Sequence, residues 1–283
     1  MKFFVVGSGR CGSTLLHRML NRHPDLWVFN ETHWIPKLHE FYGMGHGLAA
    51  EMLAIVDNTF HVNGERTTCL PDSLRAEIGA IAEPMTVRAF VDRLGASLAA
   101  ANGKQLWADK TPDYCAHLEL LQRHWPGARF VHLIRDGVAA SLSMTRHPGY
   151  RHLLATQNMS WASVSYGVSA VGAAANPAPI SEALRLWRLR VSRARDEAAR
   201  LEAGSYREVR FESLGADPVG TLHDLADFLH LGYGSWIAEA AALVDPARHR
   251  RQRLPDPDIA VDCLTDALMK DLGVNAYRFS IAW

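Results

Sequence analysis

The stretch that decides the fold is Gly7-Ser8-Gly9-Arg10-Cys11-Gly12-Ser13-Thr14, which follows the apolar run Phe3–Val6. Its spacing matches the phosphate-binding motif G-x4-G-K-[ST], except that Ser13 stands where the motif has lysine. The motif requires a strand before the loop and a helix after it. The apolar run Phe3–Val6 predicts the strand, and the apolar residues of 15–20, which share one helical face, predict the helix. We therefore predict a glycine-rich loop whose N–H groups, together with the helix N-terminus, bind an anion.

The side chains of the loop favour a bound phosphate or sulfate over a transferred phosphoryl group. Arg10 carries a fixed charge on a planar fork that fits the oxygens of either anion, and Ser13 and Thr14 add hydroxyl donors. A transferring γ-phosphoryl group would lack the lysine that usually stabilises it. The sequence also shows no convincing acidic residue at a strand end to hold magnesium. A P-loop nucleotide kinase is therefore the weaker alternative.

Short β-like runs separated by amphipathic helices predict the fold class. The runs are Phe3–Val6, Arg129–Ile134 and Tyr206–Phe211. Strands that alternate with helices form parallel sheets with helices on both faces, so we predict a P-loop-type α/β fold. Residues 40–105 are mostly helical in pattern with glycine and proline breaks. We predict that they form an inserted helical cap within a single domain of residues 1–283.

A second anion site is predicted where the run Arg129–Ile134 ends. Arg135-Asp136-Gly137 follows that run, and Ser143 lies about two helical turns further on. Open α/β sheets bind ligands at the carboxyl ends of their strands, so Arg135 and Ser143 are placed to bind a second phosphate. The alternative is a plain surface pair of Arg135 with Asp136. Two anion sites together would fit a doubly phosphorylated nucleotide.

The loop and the Arg135 segment together resemble the sulfotransferases that use 3′-phosphoadenosine 5′-phosphosulfate. The first is similar to their 5′-phosphosulfate loop and the second to their 3′-phosphate site. Further similar segments follow in the right order, including some like those of tyrosylprotein sulfotransferases: Asn30–Pro36, Asp109–Pro112 and Val209–Leu214. The resemblance extends from residue 3 to about residue 230 and implies the same α/β fold.

The resemblance assigns roles to particular residues. Glu31 stands where the tyrosylprotein enzymes have the general base, and Lys110 where the family has a lysine that contacts the sulfate end. Apart from the resemblance, His33 titrates near neutrality and is a second candidate for the base, and the charge of Arg10 would stabilise the sulfuryl oxygens. The residues expected to bind the nucleotide are Gly9, Arg10, Cys11, Gly12, Ser13, Thr14, Arg135, Ser143 and Phe211. Phe211 occupies a position where the family has tyrosine, and His33 one where the tyrosylprotein enzymes have arginine.

The function implied is transfer of a sulfuryl group from 3′-phosphoadenosine 5′-phosphosulfate to a hydroxyl of a small molecule, with 3′,5′-adenosine bisphosphate as the product and no metal. A base is needed because a protonated hydroxyl is a poor nucleophile. Peptide tyrosine sulfation is an alternative acceptor chemistry, prompted by Glu31-Thr32-His33. A non-catalytic nucleotide-binding protein is disfavoured by the presence of both Glu31 and Lys110.

Composition limits the classes of partner and the cellular compartment that we expect for the protein. The 283 residues carry 30 Lys+Arg and 30 Asp+Glu, a balance that argues against nucleic-acid binding. The 4 cysteines lack zinc-site spacing, and no apolar run is long enough to span a membrane. We therefore expect a cytoplasmic enzyme with reduced thiols. The basic run Arg248–Arg253 is either a solvated loop or a segment that closes on the 3′-phosphate.

Overall fold

The computed structural model describes residues 2–161, 164–167, 178–245 and 263–272. In chain order, the strands are β1 (Phe3–Gly7), β2 (Leu26–Asn30), β3 (His46–Gly47), β4 (Met85–Thr86), β5 (Leu106–Lys110), β6 (Arg129–Ile134) and β7 (Tyr206–Arg210). Five of them form a parallel sheet in the order β2–β5–β1–β6–β7, while β3 and β4 pair antiparallel in a separate small sheet.

Helices connect the strands. The first group is α1 (Ser13–Leu20), α2 (Ile35–Tyr42), α3 (Ala49–Asp57), α4 (Asp72–Gly79), α5 (Val87–Ala101) and α6 (Leu118–His124). The second group is α7 (Gly137–Arg146), α8 (Pro148–Ala155), α9 (Ile180–Ala198), α10 (Phe211–Ala216), α11 (Pro218–Leu229), α12 (Trp236–Ala241) and α13 (Cys263–Asp271). A 3₁₀ helix at Pro112–Ala116 follows β5.

The predicted fold class is confirmed, because helices cover both faces of the parallel sheet. In the central strand β1, Phe4 and Val6 belong to one buried cluster with residues of α5 and α6. Phe3 and Val5 belong to another, with residues of α1, α11 and α12. Side chains of a strand alternate between the two faces of its sheet, so an all-apolar strand is the expected sequence for a position buried on both faces.

Two strands of the sheet were missed by the sequence patterns. In β5 the apolar part, Leu106–Ala108, is followed at once by Asp109 and Lys110, so no alternating apolar signal develops. In β2 the run Leu26–Asn30 is equally short. The predicted run Tyr206–Phe211 is one residue too long, since Phe211 begins α10.

The segment predicted as a cap contributes directly to the sheet's helical layer. At its C-terminal end, α5 buries Phe90 and Leu94 in the same cluster as Trp107 of β5. Gly95 allows this close approach, because a Cβ there would lie 2.5 Å from the Trp107 ring. Helices α3 and α4 lie in the same segment, and their buried residues extend that cluster. The boundaries of a cap at about 40–105, and the single domain of 1–283, stay predictions.

Candidate functional site

The glycine-rich loop joins β1 to α1 as predicted. The backbone takes positive φ at Gly9 (81°), Arg10 (52°) and Gly12 (92°), which curls the chain. Glycine is required at two of these positions by space as well. A Cβ on Gly9 would lie 1.5 Å from the Tyr150 hydroxyl, and one on Gly12 would lie 2.1 Å from the Phe211 ring. No side chain caps α1 at Gly12, and an uncapped helix N-terminus is a favourable place for an anion.

The predicted second anion site lies against the loop. Arg135 Nη1 donates to the Arg10 carbonyl at 3.0 Å, and Arg10 Nε donates to Ser143 Oγ at 3.1 Å. The Arg135 guanidinium lies over the Phe211 ring, 5.0 Å from its centroid. Arg135 Nε is buried and has no hydrogen-bond partner within the described part of the chain. Two adjacent guanidinium groups with unused donor capacity favour an anionic ligand.

Cys11 of the loop was expected to bind the nucleotide, but its side chain points away from the loop's cavity. Cys11 is fully buried in the core cluster beneath the loop, and it does not line the cavity that the loop borders. Burial raises the pKa of its thiol. Gly9, Arg10, Gly12, Ser13 and Thr14 all line that cavity.

Glu31 and Lys110 meet because β2 and β5 end side by side. Asn30 pairs with Lys110 in the parallel register, so Glu31 follows directly. Lys110 Nζ lies 2.6 Å from Glu31 Oε1, with the lysine side chain fully buried and the glutamate side chain 34% exposed. Burial by itself would raise the pKa of Glu31, but attraction to Lys110 and His33 outweighs it and lowers the pKa to about 2. Glu31 is therefore ionised at neutral pH.

His33 is buried beside the same carboxylate. Its Nε2 lies 4.0 Å from Glu31 Oε2, and its Nδ1 lies 3.8 Å from Asp113 Oδ2. Burial lowers the pKa of His33 to about 4, although both acids act to raise it. Glu31 and His33 do not lie on an extended segment. Both residues have a left-handed backbone with φ of 59°.

Residues that the sequence analysis missed hold this arrangement in place. Arg190 of α9 is buried, and its Nη1 lies 2.9 Å from Asp113 Oδ1. The same nitrogen donates to the Ser8 carbonyl at 2.9 Å and to the Tyr150 hydroxyl at 3.1 Å. Arg190 thus ties the loop to the acid that faces His33. Its signal in the sequence was a charged residue three positions after Trp187, on the apolar face of a predicted helix.

Two cavities meet at Glu31. The first, of about 190 Å³, is bordered by the loop and Arg135. The second, of about 360 Å³, is lined mainly by imidazole and apolar side chains, among them His33 and Trp161, together with the carboxylates of Glu31 and Asp113. Both cavities share the residues Glu31, Pro112, His147 and Tyr150. The Glu31 carboxylate therefore stands between a cavity that contains Arg10 and Arg135 and a cavity lined mainly by imidazole and apolar side chains.

Within the described ranges, one group of side chains is close enough together to ligate a metal ion. Glu31, His33 and His61 each place a ligand atom within 4.8 Å of the others. The Lys110 ammonium already supplies a positive charge 2.6 Å from this carboxylate. Glu31 therefore needs no metal ion to stay ionised. The basic run 248–253 lies outside the described residues.

The glycine-rich loop, Glu31, Lys110 and Arg135 all lie within the part of the chain that one family model matches. The model of the sulfotransferase family matches residues 2–235 of this chain. The chain belongs to the sulfotransferase family. Membership of this family supports the assignment of the protein as a transferase that moves a sulfuryl group.

Known sulfotransferases share the fold at low sequence identity. The sulfotransferase domain from the curacin biosynthetic pathway superposes with a TM-score of 0.61 at 18% identity, covering 99% of this chain and 98% of that one. The sulfotransferase domain from the Synechococcus PCC 7002 olefin synthase gives a TM-score of 0.57 at 23% identity, covering 96% and 94%. These likenesses show that the sulfotransferase fold extends over nearly the whole chain.

A curated relative matches part of the chain. Nodulation protein NoeE of Sinorhizobium fredii (strain NBRC 101917 / NGR234) is 29% identical over 147 residues, which make up 50% of this chain. The match spans 31% of that protein's length. Among the described residues of this family member, no helix combines the length and the apolar character needed to cross a membrane.

Proposed function

We propose that this sulfotransferase moves a sulfuryl group from 3′-phosphoadenosine 5′-phosphosulfate to a hydroxyl of a small-molecule acceptor. The observation that carries the proposal is the place of Glu31, where a cavity bordered by Arg10 and Arg135 meets one lined mainly by imidazole and apolar side chains. The donor occupies the loop side and the acceptor the side of His33 and Trp161. Glu31 then lies where the hydroxyl meets the sulfuryl group.

The loop side fits a doubly anionic nucleotide. The uncapped N-terminus of α1 and the Arg10 side chain receive the 5′-phosphosulfate. Arg135, which has a buried donor without a partner among the described residues, and Ser143 receive the 3′-phosphate. Phe211 packs on Gly12 and under Arg135, so it keeps the arginine fork in place.

The transfer forms an oxygen–sulfur bond to the acceptor and breaks the bond between sulfur and the 5′-phosphate oxygen. Glu31 accepts the acceptor's proton, with His33 as the alternative base. At rest Lys110 lowers the pKa of Glu31 to about 2, against the effect of burial. As Lys110 turns toward the charge that develops on the sulfuryl and phosphate oxygens, it attracts Glu31 less strongly, and the carboxylate becomes a better base.

Calorimetric titration tests the donor assignment. We expect 3′,5′-adenosine bisphosphate to bind more tightly than ATP with magnesium, because the loop has Ser13 in place of the lysine that a kinase uses. Tighter binding of ATP with magnesium would overturn the proposal in favour of a kinase. Turnover is expected to be unchanged by a chelator, since the fixed cations Arg10, Lys110 and Arg135 stabilise the developing charge.

Peptide tyrosine sulfation remains the second acceptor hypothesis. It is separated from small-molecule transfer by comparing a free phenol with a tyrosine inside a peptide as acceptor. A clear preference for the peptide would move the assignment to that class.

A further inference from the structure

A third cavity of about 520 Å³ runs along the edge strand β2, on the side of α1. Its walls come from α1, from β2 and from the segment 61–69. The lining residues that matter here are Arg18, Arg22, Asn30, His61 and Cys69. The cavity is larger than either of the two that meet at Glu31.

The charge of this cavity has one sign. Arg18 lies in the last turn of α1, Arg22 follows the end of that helix, and both arginines line the cavity. The described residues lining the cavity include no aspartate or glutamate. Neither arginine forms an ion pair within the described chain, whereas Arg75, Arg190 and Arg195 do. Arg22 also borders a neighbouring cleft that contains Glu239. Arg18 does not line that cleft, so its charge is available to the β2 cavity alone.

The cavity adjoins the place where the acceptor hydroxyl would react. His61 lines both this cavity and the acceptor-side cavity. The His61 ring lies 6.2 Å from the His33 ring, centroid to centroid. Asn30 lines the cavity at the end of β2 and directly precedes Glu31. His61 therefore lies where the two cavities adjoin.

We propose that this cavity is an acceptor subsite for an anionic group, a carboxylate or a phosphate, at the far end of an elongated hydroxylated acceptor. Arg18, with support from Arg22, binds the anion, and the hydroxyl at the other end reaches Glu31. This inference rests on the proposed function and specifies its acceptor class. A site lined by cations without carboxylate partners selects an anionic ligand over a neutral one of the same shape.

Cys69 offers a readout confined to this cavity. Its thiol is exposed and lines the cavity, whereas Cys11 and Cys115 are buried. A ligand in the cavity slows alkylation of Cys69, and peptide mapping by mass spectrometry reports that residue alone. The probes are ω-hydroxyalkanoates of increasing chain length, their methyl esters as neutral matches, and ω-hydroxyalkyl phosphates. The protein is first loaded with 3′,5′-adenosine bisphosphate.

We expect the acid or the phosphate of the fitting length to protect Cys69 at about tenfold lower concentration than the ester, which is about 1.4 kcal/mol. Arg18→Gln removes that difference. Arg123→Gln, which removes an exposed cation on α6 away from the cavity, keeps it. A preference for acid over phosphate, or the reverse, identifies which anion the acceptor carries.

The outcomes separate this inference from the proposed function. Failure of the bisphosphate to bind contradicts the donor assignment, while the difference between acid and ester at Cys69 is still measured in the unloaded protein. Equal protection by acid and ester, with the bisphosphate bound, overturns the anionic subsite. An acid preference that persists in both Arg18→Gln and Arg22→Gln overturns it as well.

Discussion

Glu31 and His33 both hold a left-handed backbone with φ of 59°, a conformation that costs on the order of 1 kcal/mol for such residues. Thr32 between them is fully buried and donates from Oγ1 to Asp109 Oδ2 at 2.6 Å. Its N–H donates to Thr111 Oγ1 at 2.9 Å. Anchored in this way, the tripeptide directs the side chains on either side of Thr32 toward one cavity.

Replacing the proposed base gives the first prediction. Glu31→Gln keeps the shape of the side chain but removes its ability to accept a proton, so we expect turnover to be abolished. Affinity for 3′,5′-adenosine bisphosphate should change by no more than a few fold, measured by calorimetry. His33→Gln is the matched variant in the same cavity. If Glu31→Gln turns over normally and His33→Gln does not, the base is the histidine.

The second prediction concerns the arginine at the end of β6. Arg135→Ala removes the fork that lies 3.0 Å from the Arg10 carbonyl and over Phe211. We expect affinity for 3′,5′-adenosine bisphosphate to fall about tenfold or more, as loss of a charge-assisted contact predicts. Affinity for adenosine 5′-monophosphate should fall much less. Equal losses for the two nucleotides would refute the assignment of Arg135 to the 3′-phosphate.

At the scale of elements, the register between β2 and β5 places the proposed catalytic pair. Because Asn30 pairs with Lys110, the ends of the two parallel strands lie at the same edge of the sheet. The backbone continues the contact, since the Glu31 N–H donates to the Lys110 carbonyl at 2.7 Å. Packing of α5 against β5 holds that register, with Gly95 seated on the Trp107 ring.

The glycine in α5 supplies the third prediction. Gly95→Ala places a methyl group 2.5 Å from the Trp107 ring in a buried contact. We expect a loss of about 1–3 kcal/mol in the free energy of unfolding, measured by urea denaturation. Gly79→Ala in α4 is the matched control, since its Cβ would lie 3.6 Å from Leu53 Cδ1. That variant should be neutral or slightly more stable, because alanine favours helix. Equal destabilisation of both would contradict the close packing at Gly95.

At the scale of the whole molecule, three buried histidines and one buried aspartate contribute to the dependence of stability on pH. Burial lowers the pKa of His33, His124 and His132 to about 4 in each case. Burial raises the pKa of Asp109 to about 6, although its hydrogen bonds to Thr111 and Thr32 act to lower it. The three histidines fold in the neutral form, so the unfolded chain binds their protons more readily.

The fourth prediction follows from that difference. Between about pH 6.5 and about pH 4 the unfolded state binds more protons at these histidines, so stability falls as the pH falls. Each unit of lowered pKa is worth about 1.4 kcal/mol, and Asp109 offsets part of the loss because it binds its proton more readily when folded. Urea denaturation at about pH 7 and about pH 5 measures the slope.

A pair of variants tests whether buried histidines cause the loss of stability at lower pH. His132→Gln, at a buried site outside the cavities, should flatten the dependence on pH. His46→Gln, at an exposed position, should leave it unchanged. A slope that His132→Gln does not alter would show that the loss of stability arises elsewhere.

The sequence by itself determined the loop between β1 and α1, the alternation of strands and helices, and the residues most suited to bind an anion. Glycine spacing, apolar periodicity and motif order are local properties, so they can be read along the chain. The same patterns missed β2 and β5, whose apolar runs are short. They also gave no indication of the left-handed backbone at Glu31 and His33.

Only the tertiary structure decided which groups act on one another. Lys110 reaches Glu31 through strand register, and Arg190 reaches Asp113 and the loop from a distant helix. His61 stands between two cavities that no motif marks. The pKa of a carboxylate or an imidazole depends on burial and on the nearest charges, and both depend on residues far apart in the chain. The lowered pKa values of Glu31 and His33 are therefore properties of the folded molecule.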